Sequence, residues 1–156
     1  MLQRRQFAVA GLSAVAAAAA SQTSQASLKA AERDHHEGHA KSDGVMQRCA
    51  TACSDCQREC SSCATHCAIQ LKEGHAGHAV TLATCQDCAD ICSVASQIVS
   101  RGGPFAKLIC KACADACSEC AAACKQFPDD QHMMKCANEC LECEKACREM
   151  LSKDHL

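Results

Sequence analysis

The sequence has no tryptophan, no tyrosine and only three phenylalanines in 156 residues, so the aromatic bulk that usually fills a small core is missing. Its only prolines are Pro104 and Pro128, which leaves long stretches open to helix. No uninterrupted apolar run reaches the ~18 residues of a membrane span with suitable flanks, and the longest apolar stretch lies at the N-terminus. A soluble mature protein is expected. Positive charge is not in excess either. The formal net charge is −2, and without the first 26 residues, whose only charges are Arg4 and Arg5, it becomes −4. That balance argues against nucleic-acid binding. No Ser/His/Asp set, carboxylate pair or phosphate loop is visible, so no catalytic residue is assigned and no enzyme is expected. What the chain has in abundance is cysteine: eighteen residues, above the usual threshold for a cysteine-built scaffold.

Residues 1–26 have the shape of an export signal. Arg4 and Arg5, followed by Phe7 and a mild Ala-rich stretch over 8–20, resemble a twin-arginine leader, whose cargo crosses already folded; an ordinary Sec signal is the alternative. Cleavage is expected after Ala20 or Ala26. An unfolded chain with eighteen thiols would be scrambled in an oxidising periplasm, whereas a folded one arrives with its sulfur buried. Residues 27–44, with His35, His36 and His39 among charged and small residues, read as a flexible arm.

The cysteines fall into four groups in which the spacing alternates between three and four. The first is Cys49, Cys53, Cys56, Cys60, Cys63 and Cys67; the second is Cys85, Cys88 and Cys92. The third is Cys110, Cys113, Cys117, Cys120 and Cys124; the fourth is Cys136, Cys140, Cys143 and Cys147. A 3-4-3-4 repeat is the buried seam of a helix in a bundle, and the intervening Ala, Glu, Lys, Gln, Asp and Ser suit its solvent side. Each group therefore predicts one amphipathic helix with a thiol stripe.

The punctuation agrees. Helix one is expected over about 45–72, stopping at Gly74 as a left-handed cap, and helix two over about 78–100, ended by Gly102 and Gly103. Helix three opens with Pro104 in its first turn and ends before Pro128. Helix four starts from Asp129 or Asp130 as N-cap and runs to about residue 152. Short connections force an all-α, up-down-up-down four-helix bundle over 45–152. In register, the seam extends to Met46 and Gln70, to His78, Thr81, Ala95 and Val99, to Ala106 and Phe127, and to Met133 and Met150.

Leu or Ile would bury more apolar area at each seam position, so a chain that forgoes them eighteen times uses the sulfur itself. A disulfide framework is one reading, and the even count permits it. Yet a disulfide needs Cβ atoms about 3.8 Å apart, and helix neighbours at i, i+3 or i, i+4 sit about 5–6 Å apart. Rows of facing cysteines also give no unique pairing, since eight already allow about a hundred. Metal suits the spacing better: two thiolate–metal bonds of the zinc–sulfur length span about 4.6 Å. Zn²⁺ on four thiolates would leave two buried negative charges per site, whereas Cu(I), which soft thiolates and thioethers select, leaves none at one thiolate per ion. Two further matches are set aside. The C-x₃-C-x₂-C of Cys49-Cys53-Cys56 and Cys136-Cys140-Cys143 follows from the heptad, in a chain too short for a radical-SAM barrel. The C-x₂-C pairs lack the βαβ setting of thioredoxin chemistry.

Thiols at C-x₂-C and C-x₃-C spacing on all four helices, behind a twin-arginine-type leader, resemble the bacterial copper storage proteins. The likeness covers about 45–152 and all eighteen cysteines. It implies a four-helix bundle holding many Cu(I) ions per subunit, a homotetramer, and a role in supplying cuproenzymes or in copper tolerance. Ala95 and Val99 depart from a full column. Metal must also pass a bundle end, where Met and His bind Cu(I) without losing a proton. One end collects His66, His75, His78, His132, Met133 and Met134; the other has Met46 and Met150 with Ile98, Val99 and Ala106. The possible mouth ligands are Met46, His78, His132, Met133 and Met150. The family likeness favours Met46, and the number of soft ligands favours the histidine end. A disulfide-stapled helical module and a zinc–thiolate protein remain the alternatives.

Overall fold

The computed structural model describes residues 25–152, with side chains from Gly44 onward. The described residues fall into two units that part between His35 and His36, and the second contains the cysteines. Four helices follow in order: α1 Gln25–Lys72, α2 His78–Ser100, α3 Ala106–Cys124 and α4 Gln131–Leu151. Arg4 and Arg5 lie outside the described residues. Among the described residues no helix is long and apolar enough to cross a membrane.

Two boundaries differ from expectation. α1 begins at Gln25, twenty residues before the expected start, so residues 27–44, read above as an arm, are helical. That segment contains no proline and several strong helix formers, so nothing in it stops a helix begun by the seam. Pro104 does not open α3 but sits in the turn ahead of it. The Ala106 N–H donates to the Gly103 carbonyl at 2.9 Å, which makes Pro104 the second residue of a four-residue turn, where its fixed φ fits well.

The remaining signals act as read. Gly74 has φ 93°; its N–H donates to the Leu71 carbonyl at 3.1 Å and that of His75 to Gln70 at 3.0 Å, the two bonds of a Schellman cap. α2 ends the same way at Gly102, φ 60°, with Gly102 bonded to Val99 and Gly103 to Ile98, both at 3.0 Å. Asp130 caps α4 by accepting from the His132 and Met133 N–H groups.

Sulfur contacts report the topology. Going up α1, Cys49, Cys53, Cys56 and Cys60 meet Cys110, Cys113, Cys117 and Cys120 at 3.5–4.0 Å, so α1 and α3 run parallel. The same α1 residues meet α4 in descending order, with Cys49 on Cys147 and Cys60 on Cys136. On α2, Cys85 meets Cys120 and Cys92 meets Cys113. Both pairs of helices are therefore antiparallel, and the bundle is up-down-up-down.

All eighteen cysteines are buried, and so are His78, Thr81, Ala95, Val99, Ala106, Met133 and Met150. Met46 and Phe127 are partly buried against this core. Sequence reasoning did not single out Ala50, Ala64, Ala89, Ala114, Ala121 and Ala137, which are also buried. They flank the thiol seam on each helix, where small side chains let the helices approach closely enough for sulfurs from all four to meet.

Candidate metal centre

The thiols form a continuous column along the bundle axis. Each helix supplies its seam because the 3-4 spacing keeps one face toward the axis through six turns or fewer. Sulfurs on different helices approach to 3.5 Å for Cys49–Cys110 and for Cys60–Cys140, and to 3.6 Å for Cys53–Cys147, Cys92–Cys113 and Cys92–Cys117. These are contact distances, well beyond the roughly 2.05 Å of a disulfide, and all eighteen cysteines are free. Cys56 touches Cys60, Cys117 and Cys140 alike, so geometry singles out no pairing partner.

Several sets of four thiols have all their sulfurs within 4.8 Å of one another. They include Cys53/Cys113/Cys143/Cys147, Cys56/Cys92/Cys117/Cys143, Cys56/Cys60/Cys88/Cys140, Cys60/Cys120/Cys136/Cys140 and Cys63/Cys85/Cys124/Cys136. Any one set could surround a tetrahedral ion. The sets overlap, however: Cys56, Cys60, Cys136, Cys140 and Cys143 each belong to two. Discrete four-thiolate sites cannot all be filled together, whereas ions that take two or three thiolates and share them can fill the whole column.

Electrostatics point the same way. The hydrogen bond that Cys49 shares with the Cys110 thiol lowers Cys49 below the ordinary thiol range. Burial pushes Cys67, at the end of its seam, from 9.0 up to about 12. The first thiolate in a crowded set is stabilised by its neighbours' S–H groups, and each further negative charge is opposed by burial and by those already there. A monovalent cation arriving as each proton leaves removes that opposition.

The two ends of the column differ. At the α1–α2 and α3–α4 connections, Cys63 and Cys67 donate to the Met133 Sδ at 3.6 and 3.8 Å. The His66 ring stacks on His132 at 4.6 Å and meets His78 edge-on at 6.1 Å, and His78 stacks on Phe127 at 4.0 Å. His66 Nε2 lies 2.7 Å from Asp130 Oδ2. Burial works against the charge of Asp130, but the hydrogen bonds from His66, Met133 and His132 outweigh it and hold the carboxyl below 3.8. A recess of ≈ 590 Å³ lined by His78, Phe127 and Asp130 opens beside them. His75 is exposed, and Met134 is partly buried. At the far end Met150, Val99, Ala95 and Ala106 are buried, with Met46 partly so. His35, His36 and His39 lie where no side chain is described. The His66–Asp130 contact was not expected from the sequence; the only hint was that either Asp129 or Asp130 had to cap α4.

Residues 42–152 match the family model described as copper storage protein. The chain belongs to the copper storage protein family. A solved structure of Cu(I)-bound copper storage protein BsCsp3 is 34% identical, with a TM-score of 0.63, over 69% of this chain and 99% of that one. The apo form of copper storage protein 3 from Bacillus subtilis matches at 34% identity and a TM-score of 0.59, over 67% and 97%. A cytosolic copper storage protein from Streptomyces lividans, loaded with five coppers, matches at 28% identity and a TM-score of 0.68, over 73% and 98%. No curated protein matches the chain. Family members are thus known both empty and copper-loaded on this bundle.

Proposed function

We propose that this chain is a store for Cu(I), that all eighteen cysteines are its ligands, and that it has no catalytic role. The observation that carries this is the overlap of the four-thiol sets, which suits many two- or three-coordinate ions sharing thiolates and frustrates separate zinc centres. Facing sulfurs at 3.5–4.0 Å fit bent coordination as they stand, and linear coordination needs them to open to about 4.6 Å. Anaerobic titration of the reduced protein with Cu(I) against a competing chelator tests the reading. A capacity near the cysteine number is expected. A plateau at four ions or fewer, or preferential retention of zinc, overturns it.

The histidine end is the mouth in this reading, with His78, His132 and Met133 as ligands and His66 added to them. Its support is the cluster of imidazoles and the Asp130 carboxylate around Met133 beside the recess, where the described far end has the thioethers of Met46 and Met150 among aliphatic side chains. Export by the twin-arginine route rests on the leader sequence alone, on Arg4, Arg5, Phe7 and the Ala-rich stretch after them, since the Streptomyces relative is a cytosolic one. Changing both arginines to Lys is expected to strand the precursor in the cytoplasm, and cell fractionation decides; normal processing of that variant would indicate a Sec signal. A homotetramer serving cuproenzymes or copper tolerance completes the proposal. Exposed Val80, Phe105 and Leu108 offer apolar surface for self-association, which light scattering of the purified protein measures.

A further inference from the structure

We propose that Asp130 is the positioning residue of the mouth: one carboxylate selects the ring nitrogen that His66 offers to copper and fixes the helix turn that carries His132 and Met133. The inference rests on reading this end as the mouth. Its Oδ1 accepts from the His132 N–H at 2.9 Å and from the Met133 N–H at 3.2 Å, while Oδ2 faces His66 Nε2 at 2.7 Å. An ionised carboxylate can only accept. The ring proton of a neutral His66 therefore sits on Nε2, and the lone pair is left on Nδ1.

A helix cap needs only one oxygen, and Ser, Thr or Asn would serve as well as Asp. What marks Asp130 is the second oxygen, used on an imidazole 64 residues away on another helix. Carboxylate-to-imidazole hydrogen bonding of this kind is the usual support for a metal-binding histidine, because it fixes the tautomer and raises the basicity of the other nitrogen. The adjoining His78 ring is only 5% exposed and keeps its Nδ1 buried without a hydrogen-bond partner, a second sign that this end is arranged for a ligand.

The test starts on copper-free protein. Nitrogen-15 shifts of the His66 ring at about pH 8, where imidazole is neutral, are expected to show protonated Nε2 and bare Nδ1. Asp130→Asn keeps a capping oxygen but turns an amide N–H toward His66, and is expected to move the ring proton to Nδ1. Asp130→Ser keeps the cap and withdraws the partner altogether. Both variants should stay helical by circular dichroism and take Cu(I) from a chelator roughly tenfold more slowly. A wild-type ring protonated on Nδ1, or two variants that load at the wild-type rate, would overturn the proposal. The combined variant His66→Ala, His132→Ala, Met133→Leu separates the two levels. If it loads as fast as wild type, the mouth reading itself is wrong, even where the His66 tautomer is as stated.

Discussion

The two ends of the column obey the same 3-4 spacing and close the same bundle, yet one is finished in imidazole, thioether and carboxylate and the other in aliphatic side chains and the thioethers of Met46 and Met150. At the first, Met133 receives the Cys63 and Cys67 thiols, and three histidine rings lie against one another. At the second, Ala95, Val99, Ala106 and Met150 occupy seam positions and are buried. The fold makes no distinction between these ends, because any residue that fits the seam supports the bundle. The chemistry of passage makes a sharp one. In the mouth reading proposed above, the imidazoles gathered around Met133 hand Cu(I) inward to the thiols, whereas the far end has the thioethers of Met46 and Met150 set among aliphatic side chains.

The largest expected effect follows from removing that difference. Replacing His66, His132 and Met133 together should slow Cu(I) uptake tenfold or more, on the scale of lost metal support, while Val99→Ala leaves the uptake rate as it is; stopped-flow transfer from a coloured chelator compares them. Stability should respond the other way. Met150→Ala removes a fully buried side chain at a cost of about 2–5 kcal/mol, read from urea unfolding of the copper-free protein, without slowing uptake.

A smaller effect is expected from pH. Burial raises Cys67 from 9.0 to about 12, so the folded chain keeps a proton that the unfolded chain gives up. The resulting stability is fully present below about pH 9 and is lost as the pH rises through about 12. Urea midpoints of the copper-free protein should therefore be lower at pH 11 than at pH 8, and an equal or higher midpoint at pH 11 would contradict it. The smallest change is Ala95→Cys, which extends the α2 column by one position into the aliphatic end. Capacity in the chelator titration should rise by about one ion, in line with thiolate preference for Cu(I), and a gain of several would mean that the end is a cooperative cluster.

Much of this was legible in the spacing. The extent of α2, the Asp130 cap, the burial of every cysteine and the antiparallel order all follow from periodicity, glycine and proline positions, and loop length. Three features were not. The start of α1 at Gln25 was hidden because the seam pattern ends at Met46, and amphipathicity says nothing about a helix beyond its buried face. Pro104 fits both a helix start and a turn, and the Gly103 carbonyl decides for the turn. The His66–Asp130 contact joins α1 to the foot of α4. Spacing places a residue on a face and at a height, but which oxygen meets which ring nitrogen depends on the approach of two helices, which no local pattern records.

A seam of thiols is a thin filling for a protein interior. It buries less hydrocarbon than leucine would, and it holds the four helices mainly by close approach. Each Cu(I) shared between facing helices adds a strap that the empty bundle lacks, and metal held by the folded form draws the chain away from its unfolded state. Resistance to heat and to proteases therefore climbs with content. A full chain is expected to outlast a drained one, which is the more exposed to degradation. The lifetime of the container is then expected to depend on how much it contains, so that abundance follows the cargo through survival.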